Sequence, residues 1–196
     1  MTLYGEGGPI VVTTTIPSFV PFPKIYRLRR TIIITEKIDG TNAQIFIEDD
    51  GETMHTGSRT RWITPGKSTD NYGFAAWAQE NREDLLRLGP GHHFGEWWGQ
   101  GIQRKYNMQS KVFSLFNVDR WYDPDVRPEC CSVVPSLYQG AFSSAVIDEI
   151  VFQLSMEGSS AAPEFYDPEG IVIYHPQSRH SYKITLGDDG HKKAGA

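Results

Sequence analysis

Cysteine is scarce in this sequence: only Cys130 and Cys131 occur, and they are adjacent. Neighbouring cysteines rarely bridge each other, and two adjacent residues do not provide a metal-ligand spacing. The pair therefore indicates reduced thiols and a cytoplasmic protein. The histidines lack the paired spacing that zinc ligands have on a helix, so a zinc site is not expected.

Long apolar runs are lacking as well. No stretch approaches the roughly 20 residues that a membrane-spanning helix needs. Residues 1–12 have neither the basic start nor the long apolar core of a signal peptide. These absences argue against a membrane protein and against a secreted one.

There is also no excess of positive charge, since 19 Lys and Arg face 24 Asp and Glu for a net charge of −5. This balance argues against a polybasic nucleic-acid binder, although a local basic groove is compatible with an acidic protein. Hydrophobic residues make up 39% and charged residues 22%, which is typical of a globular chain. A length of 196 residues without a linker predicts one domain over residues 1–196, acting as a monomer.

Strand patterns outnumber helix patterns along the chain. Apolar residues at helical spacing over residues 74–86 predict a helix with Asp70 as its N-cap. A second such stretch, over residues 142–154, predicts a helix that Gly158 ends. β-branched runs and alternating patterns predict strands over 31–35, 43–48, 53–58, 92–97, 111–118, 170–174 and 181–186. Many strands with two helices and no βαβ alternation predict an α+β domain.

Lys37 is the most informative residue. It follows a strand that looks buried, in the segment EKIDGTN (36–42), beside a tight glycine turn. Partial desolvation and nearby cations favour the neutral amine of a lysine in such a place. A neutral amine beside phosphate-binding groups is a nucleophile for phosphorus. A surface lysine near a hairpin is the alternative interpretation, and the other segments decide between the two.

Five further segments follow in order. They are GSRT (57–60), FGEWWG (94–99), KVFSLF (111–116), PEGIVI (168–173) and YKIT (182–185). They provide an arginine in a turn, a carboxylate on a strand, an aromatic strand, a second carboxylate before a strand and a late lysine. The order of these segments is more specific than any one of them.

From about residue 31 to 193, the ordered segments resemble the motifs of the covalent nucleotidyltransferases, the superfamily of ATP-dependent DNA and RNA ligases and mRNA capping enzymes. The form Lys-x-Asp-Gly-Thr-Asn is most similar to the RNA ligase branch, especially small phage-type RNA ligases. The resemblance implies an α+β nucleotidyltransferase domain, with two antiparallel sheets flanked by helices and ATP between them. It also implies Mg²⁺ or Mn²⁺, because divalent metals favour carboxylate and phosphate oxygens.

The resemblance assigns catalytic roles to three residues. Lys37 matches the lysine that attacks the α-phosphate of ATP and forms lysyl-AMP. Lys183 matches the lysine at the α-phosphate, and Glu169 matches the carboxylate that organises the metal. Phosphoryl transfer relies chiefly on positioning and charge neutralisation, which these residue types can supply.

Five residues are assigned to nucleotide binding: Glu36, Asn42, Arg59, Glu96 and Phe113. Asn42 and Arg59 match contacts to the ribose and to the accepting strand end. Glu96 matches the carboxylate that accepts a ribose hydroxyl. Phe113 matches the aromatic side chain that stacks on adenine, a type of contact that tolerates any base.

Two of these assignments have close competitors. Phe113 is also compatible with a place in the core, because alternate residues of a strand usually face inward. Phe116 is then the second candidate for stacking. Arg61 competes with Arg59 for the contact to the nucleotide sugar.

The loop over residues 101–106, GIQRKY, combines two cations with an aromatic residue. Arg104 and Lys105 are therefore candidate contacts to RNA or to ATP phosphates. A purely structural loop is the alternative. An ion pair of Glu96 with either cation is the alternative function of that carboxylate.

The sequence departs from the family pattern in two ways. The late strand often carries a second lysine two residues after the first, but Thr185 occupies that place, and Lys192 or Lys193 could supply the charge. No C-terminal accessory domain is expected, because only about ten residues follow the last motif strand. Sealing of duplex DNA is therefore the weaker expectation.

These features predict an ATP-dependent RNA ligase that seals 5′-phosphate and 3′-hydroxyl ends of RNA, or of an RNA/DNA hybrid, through a lysyl-AMP intermediate. A DNA ligase for nicks is the first alternative, and a capping guanylyltransferase is another. From a different class, a nucleotide-dependent module that binds RNA ends and adenylates weakly is compatible with Thr185.

Overall fold

Ten strands and four helices form the part of the chain that the computed structural model describes, residues 17–187. The strands are β1 (Thr31–Lys37), β2 (Thr41–Ile47), β3 (Met54–Ser58), β4 (Trp62–Ile63), β5 (Gly91–Gly99), β6 (Lys111–Leu115), β7 (Cys131–Val133), β8 (Ser136–Ala141), β9 (Gly170–His175) and β10 (His180–Thr185). The helices are α1 (Phe74–Glu80), α2 (Arg82–Leu85), α3 (Val118–Trp121) and α4 (Ser144–Glu157), and a 3-10 turn spans Leu86–Leu88. The stretch 1–12, Lys192 and Lys193, which entered the sequence analysis, lie outside the described residues.

The first sheet has four antiparallel strands in the order β10-β9-β1-β8. Its inner strand β1 is rich in β-branched residues, which suit a strand that is covered on both faces. On one face, Ile32 and Ile34 belong to a buried cluster. α4 covers this cluster with Ile147, Ile150 and Leu154, whose three- and four-residue spacing puts them on one side of the helix.

The second sheet has six strands in the order β4-β3-β2-β5-β6-β7. Its strand pairs are antiparallel except β6 with β7, which run parallel. The expectation of two antiparallel sheets is therefore corrected at this one pair. A parallel pair needs a crossover connection, and here α3 with its flanking loops provides it. α1 packs on one face of this sheet, where Phe74 contacts Trp97 and Phe113.

The first predicted helix, over residues 74–86, is divided into α1, α2 and the 3-10 turn. The division falls at Asn81, whose side-chain amide donates to the backbone carbonyl of Trp77 at 2.8 Å. Gly73, and not Asp70 as expected, occupies the N-cap position of α1. The carboxylate of Asp70 still accepts two backbone N–H groups of α1, at 2.8 and 3.1 Å, and thus satisfies donors that a helix start leaves unpaired.

The second predicted helix is α4. The side chain of Ser143 accepts the backbone N–H of Val146 at its start. Gly158 ends it with a φ of 86°, a conformation that glycine adopts without strain. With both helices present beside two sheets, the α+β class expected from the sequence is confirmed.

A third buried cluster joins the two sheets. Ile33 of β1 and Trp98 of β5 contribute to it, together with Tyr106 and Val134. The connection from β1 to β2 passes from the first sheet to the second. It therefore lies where the two sheets meet.

Within the described range, no helix is long and apolar enough to cross a membrane. Cys130 and Cys131 are not bridged, and their Sγ atoms are 3.9 Å apart.

Candidate active site

The turn after β1 carries the lysine motif. Lys37 is the last residue of β1, and residues 38–40 lead into β2 of the other sheet. Gly40 lies so close to β5 that an added Cβ would be 2.5 Å from the carbonyl oxygen of Trp97. Only glycine fits at this approach, which gives the glycine of the motif a steric explanation.

The loop after β5 holds this turn in place. The backbone N–H of Asp39 donates to the hydroxyl oxygen of Tyr106 at 2.7 Å, and its carboxylate accepts from Nε of Arg104 at 3.1 Å. Four loop residues have left-handed backbone, which is strained for side chains other than glycine: Gln103, Lys105, Tyr106 and Asn107. No sequence motif gives Tyr106 a role of its own. The need of a buried tyrosine hydroxyl for a partner is the signal that could have identified it.

Lys37 contacts a carboxylate from the neighbouring strand. Its Nζ lies against Oε2 of Glu169, the residue before β9, and the two side chains are only 22% and 17% exposed. The sheet register places Lys37 opposite Gly170. A Cβ on Gly170 would clash with the carbonyl oxygen of Ile184, so the Glu-Gly pair also has a steric explanation.

Lys183 lies on the same face of the four-stranded sheet as Lys37. The register places Lys183 opposite Val172, which in turn is opposite Thr35, two residues before Lys37. The side chain of Lys183 is exposed. Thr185 takes the next position along this face. The face therefore presents two lysines, with a threonine where the family pattern often has another.

Glu96 faces the motif turn from the six-stranded sheet. Its Oε1 accepts the backbone N–H of Gly40 at 3.0 Å, and its Oε2 accepts the side-chain amide of Asn42 at 3.2 Å. Burial raises the pKa of Glu96 to about 7, against the opposing effects of the Gly40 hydrogen bond and the Lys37 charge. Lys37 and Glu96, which come from different sheets, thus lie within electrostatic reach of each other.

Glu36 does not join this group, which corrects its assignment to nucleotide binding. Neighbouring residues of a strand point to opposite faces, so Glu36 turns away from the face of Lys37. Its carboxylate accepts the hydroxyl of Ser159 at 2.6 Å and the backbone N–H of Ala161 at 2.8 Å, and only 1% of the residue is exposed. Burial raises the pKa of Glu36. It anchors the loop after α4.

The structure also corrects the assignment of Phe113 to adenine stacking. Its ring is fully buried and lies 5.0 Å from the ring of Phe74 on α1, measured between centroids. The reason is the register, because β6 pairs Ser114 and not Phe113 with Glu96. A core side chain has no free face for a base. Phe116, the second candidate, is 40% exposed.

The three predicted cations differ in their surroundings. Arg104 bridges the motif turn and Asp167, to whose carboxylate Nη1 is 2.6 Å. It therefore connects two segments of the protein. Arg59, in the turn between β3 and β4, and Lys105 are both exposed. In the described part of the chain, Glu96 forms its hydrogen bonds with the motif turn and Asn42 and not with either cation of the loop.

The acidic groups of the site fit a divalent cation that the substrate helps to bind. Oε2 of Glu169 is buried and contacts Nζ of Lys37, so a cation bound at this oxygen would take the place of that ammonium. Among the described residues, no cluster of three or more His, Cys, Asp and Glu residues could hold a metal. Phosphate oxygens and water would have to complete the coordination, as they commonly do for Mg²⁺.

Several solved RNA ligase structures share this fold. A mutant of Naegleria gruberi RNA ligase with ATP and Mn matches with a TM-score of 0.57 and 18% identity, covering 87% of this chain and 57% of that chain. Another mutant of that ligase, with AMP and Mn, gives 0.59 and 18%, with 81% and 50% covered. An apo mutant gives 0.55 and 20%, also with 81% and 50% covered. This chain thus spans about half the length of these structures.

The sequence itself matches the RNA ligase family model over residues 30–185. That range includes all the strands and helices named above. The chain therefore belongs to the RNA ligase family, and the resemblance found in the ordered motifs is confirmed. Comparison with curated proteins gives no match.

Proposed function

We propose that this chain joins RNA ends in an ATP-dependent reaction that passes through lysyl-AMP, with residues 30–185 as the nucleotidyl-transfer unit. One observation carries the proposal: two sheets bring complementary groups to the same turn. Lys37 and Glu169 come from the four-stranded sheet, and Glu96 and Asn42 come from the six-stranded sheet. Membership of the RNA ligase family supports the same reaction.

In the first step, Nζ of Lys37 bonds to the α-phosphorus of ATP, and the bond from that phosphorus to the bridging oxygen breaks to release pyrophosphate. Before this attack the Lys37 ammonium has to give up a proton, because an ammonium has no lone pair to offer, and the adjacent carboxylate of Glu169 can accept that proton. Lys183, on the same face, supplies positive charge for the α-phosphate. Fixed charges of this kind are effective because they need no reorganisation during the reaction.

Glu96 and Asn42 bind the ribose in this proposal. Each carboxylate oxygen of Glu96 already accepts one hydrogen bond and retains a further lone pair for a ribose hydroxyl. Asn42 keeps its carbonyl oxygen and its second amide hydrogen for the nucleotide or the strand end. Since Phe113 lies in the core, Phe116 becomes the candidate for stacking on adenine.

In the later steps, AMP passes from Lys37 to the 5′-phosphate of an RNA strand, and a 3′-hydroxyl then displaces AMP as the two strands are joined. Arg59 and Lys105 are exposed and supply positive charge for the strand ends. Free thiols at Cys130 and Cys131 agree with a cytoplasmic location for this reaction.

A Mg²⁺ or Mn²⁺ ion held by Glu169 would reduce the negative charge of the phosphates. The partly buried carboxylate of Glu169, which lies beside Lys37 and already binds its positive charge, supports this assignment. The carboxylate also keeps Lys37 oriented toward the cleft before ATP binds.

Intact-protein mass spectrometry after incubation with ATP or GTP and Mg²⁺ tests the proposal. An AMP adduct that maps to Lys37 is the expected result. A GMP adduct would instead assign the chain to the capping enzymes. Absence of any adduct, with RNA ends still bound, would replace the ligase by a binding module.

A further inference from the structure

The face of the six-stranded sheet that carries Glu96 continues beyond the candidate active site. α1 covers the opposite face of the sheet. Every second residue of each strand has its side chain on the face of Glu96, which α1 leaves uncovered. The β2–β5 register forms three successive rows on it, which pair Asn42 with Glu96, Gln44 with Phe94, and Phe46 with His92. The outer two rows are rich in aromatic rings.

Five rings on this face contact one another, and we call them the ring ladder: Phe46, His55, Trp62, His92 and Phe94. The ring of Phe46 lies 4.4 Å from that of His92 and 5.9 Å from that of His55. His92 and Phe94 are nearly parallel, with an interplanar angle of 5° and centroids 5.7 Å apart. Trp62 lies 5.8 Å from His55 and 6.5 Å from His92. The rings therefore form one continuous surface.

The ring ladder is exposed to solvent. Trp62 and Phe94 are each 53% exposed, whereas Phe113, on the other side of the same sheet, is fully buried. Contiguous exposed apolar surface usually marks a binding site.

Geometry and charge favour single-stranded nucleic acid as the occupant. Rows on a strand repeat every ~6.7 Å, about twice the ~3.4 Å advance of a stacked strand per nucleotide. A strand that leaves the candidate active site along this face would therefore pass Phe94 about two nucleotides beyond the row of Glu96. Arg59 and Arg61 are exposed in the turn that leads to Trp62, so positive charge for phosphates lies beside the rings. Glu48, which pairs with His55, adds one negative charge at the far end.

We propose that the ring ladder binds unpaired bases of the RNA strand whose end is joined at Lys37. The position of that end rests on the proposed function. Bases stack on rings with little regard to sequence, because every base has a π-face. Stacking also does not involve the 2′-hydroxyl, so the ring ladder should bind single-stranded RNA and DNA of the same sequence alike and leave sugar recognition to the active site.

Fluorescence anisotropy with labelled 5′-phosphorylated RNA tests the proposal. Trp62→Ala and Phe94→Ala are suitable variants because both side chains are largely exposed, so their removal leaves little cavity. Each should weaken binding of an RNA of about eight nucleotides by about five- to a hundredfold and change binding of a dinucleotide little. Trp62→Phe should retain most of the affinity. Phe152→Ala, at a residue on α4 that is 64% exposed, is the matched control and should have no effect.

Unchanged affinity for the longer RNA in both alanine variants would overturn the proposal. If the variants with unchanged affinity also sedimented differently from the wild type, the ring ladder would instead be assigned to contact with a second copy of the chain. Adduct formation with ATP alone, measured on the same samples, separates this proposal from the proposed function. If an adduct forms but the alanine variants bind RNA normally, only the proposed role of the ring ladder is overturned. If the variants bind RNA more weakly but no adduct forms, only the ligase assignment is overturned.

Discussion

The two sheets contribute different chemistry to one site. The four-stranded sheet provides the charged groups Lys37, Glu169 and Lys183, which suit phosphate. The six-stranded sheet provides Glu96 and Asn42, which are hydrogen-bonded to each other and suit a neutral hydroxyl. In the proposed reaction, one sheet therefore carries out the transfer and the other recognises the sugar. Variants of the first sheet should lower the rate of adduct formation, and variants of the second should chiefly raise the KM for ATP.

The largest effect is expected at the nucleophile. Lys37→Ala should reduce adduct formation by a factor on the order of a million, beyond detection, as is found when a nucleophile is removed. The protein should still fold, with the unfolding free energy lowered by about 1–3 kcal/mol because the partly buried carboxylate of Glu169 loses its partner. Intact-protein mass spectrometry and urea denaturation measure the two quantities. Lys67→Ala, an exposed lysine, serves as the control, and an adduct that persists in Lys37→Ala would refute the assignment.

The second effect concerns the carboxylate of the same sheet. Glu169→Ala should slow adduct formation about a hundred- to a thousandfold, because it removes a group that organises charge at the phosphates. EDTA should stop the wild-type reaction. Asp148→Ala, at an exposed residue on α4, is the matched control for loss of a carboxylate. Normal rates in Glu169→Ala at all metal concentrations would move the metal to other residues.

Glu96 should make the stability of the protein depend on pH. Because its pKa is raised from 4.5 to about 7, the folded state binds this proton more tightly than the unfolded state. The contribution of Glu96 to the unfolding free energy therefore falls as pH rises from 4.5 to about 7, by up to about 3 kcal/mol. Glu96→Gln should remove this decline. The difference in urea midpoint between Glu96→Gln and the wild type should therefore shift in favour of the variant between pH 5 and pH 8. Parallel pH profiles for the two proteins would show that Glu96 ionises normally.

The same ionisation should affect nucleotide use more modestly. Protonation of Glu96 removes the charge that accepts the ribose hydroxyl, so the KM for ATP should rise as pH falls below about 7 and should level off after a total rise of about tenfold. Glu96→Gln should have a raised KM at pH 8 and a flatter pH dependence. Ionisation of ATP itself affects both proteins equally and cancels in the ratio of their KM values. A constant ratio across the pH range would contradict the role of Glu96.

The smallest effect concerns the sugar of the accepting strand. Pre-adenylated enzyme should seal a break with a 3′-terminal ribonucleotide a few times faster than one with a 3′-terminal deoxynucleotide, because the 2′-hydroxyl can donate to and accept from a polar pocket. Asn42→Ala should reduce this advantage. Matched oligonucleotides that differ only in the terminal nucleotide provide the measurement. Equal rates, or faster sealing of the all-DNA nick, would favour the DNA ligase alternative.

The sequence predicted the strands that carry the site better than it predicted their neighbours. β1 and β9 have β-branched or apolar runs that identify a buried strand. β7 and β8 were missed because they are short or lack a clear alternation of buried and exposed residues. The helix break at Asn81 was missed because a side chain that bonds to a backbone carbonyl leaves no mark on the apolar spacing.

The residues of the site were likewise predicted where motif order was sufficient and misassigned where the strand register was needed. Motif order predicted a shared site for Lys37, Glu96 and Glu169, and the fold brings these three side chains near one another. Glu36 and Phe113 were misassigned because the face that a strand residue occupies depends on its register with neighbouring strands, which motif spacing does not determine.

The opposite orientations of Glu36 and Lys37 have a consequence for folding. A slip of β1 by one residue would exchange their faces. The ammonium of Lys37 would then exchange the carboxylate of Glu169 for the hydroxyl of Ser159 and the backbone N–H of Ala161, neither of which carries a negative charge. A buried charge without a charged partner is strongly unfavourable. The alternation of Glu36 and Lys37 thus favours the native register of β1. A chain with β1 out of register would be less stable, and the instability would arise next to the residue on which the proposed chemistry depends.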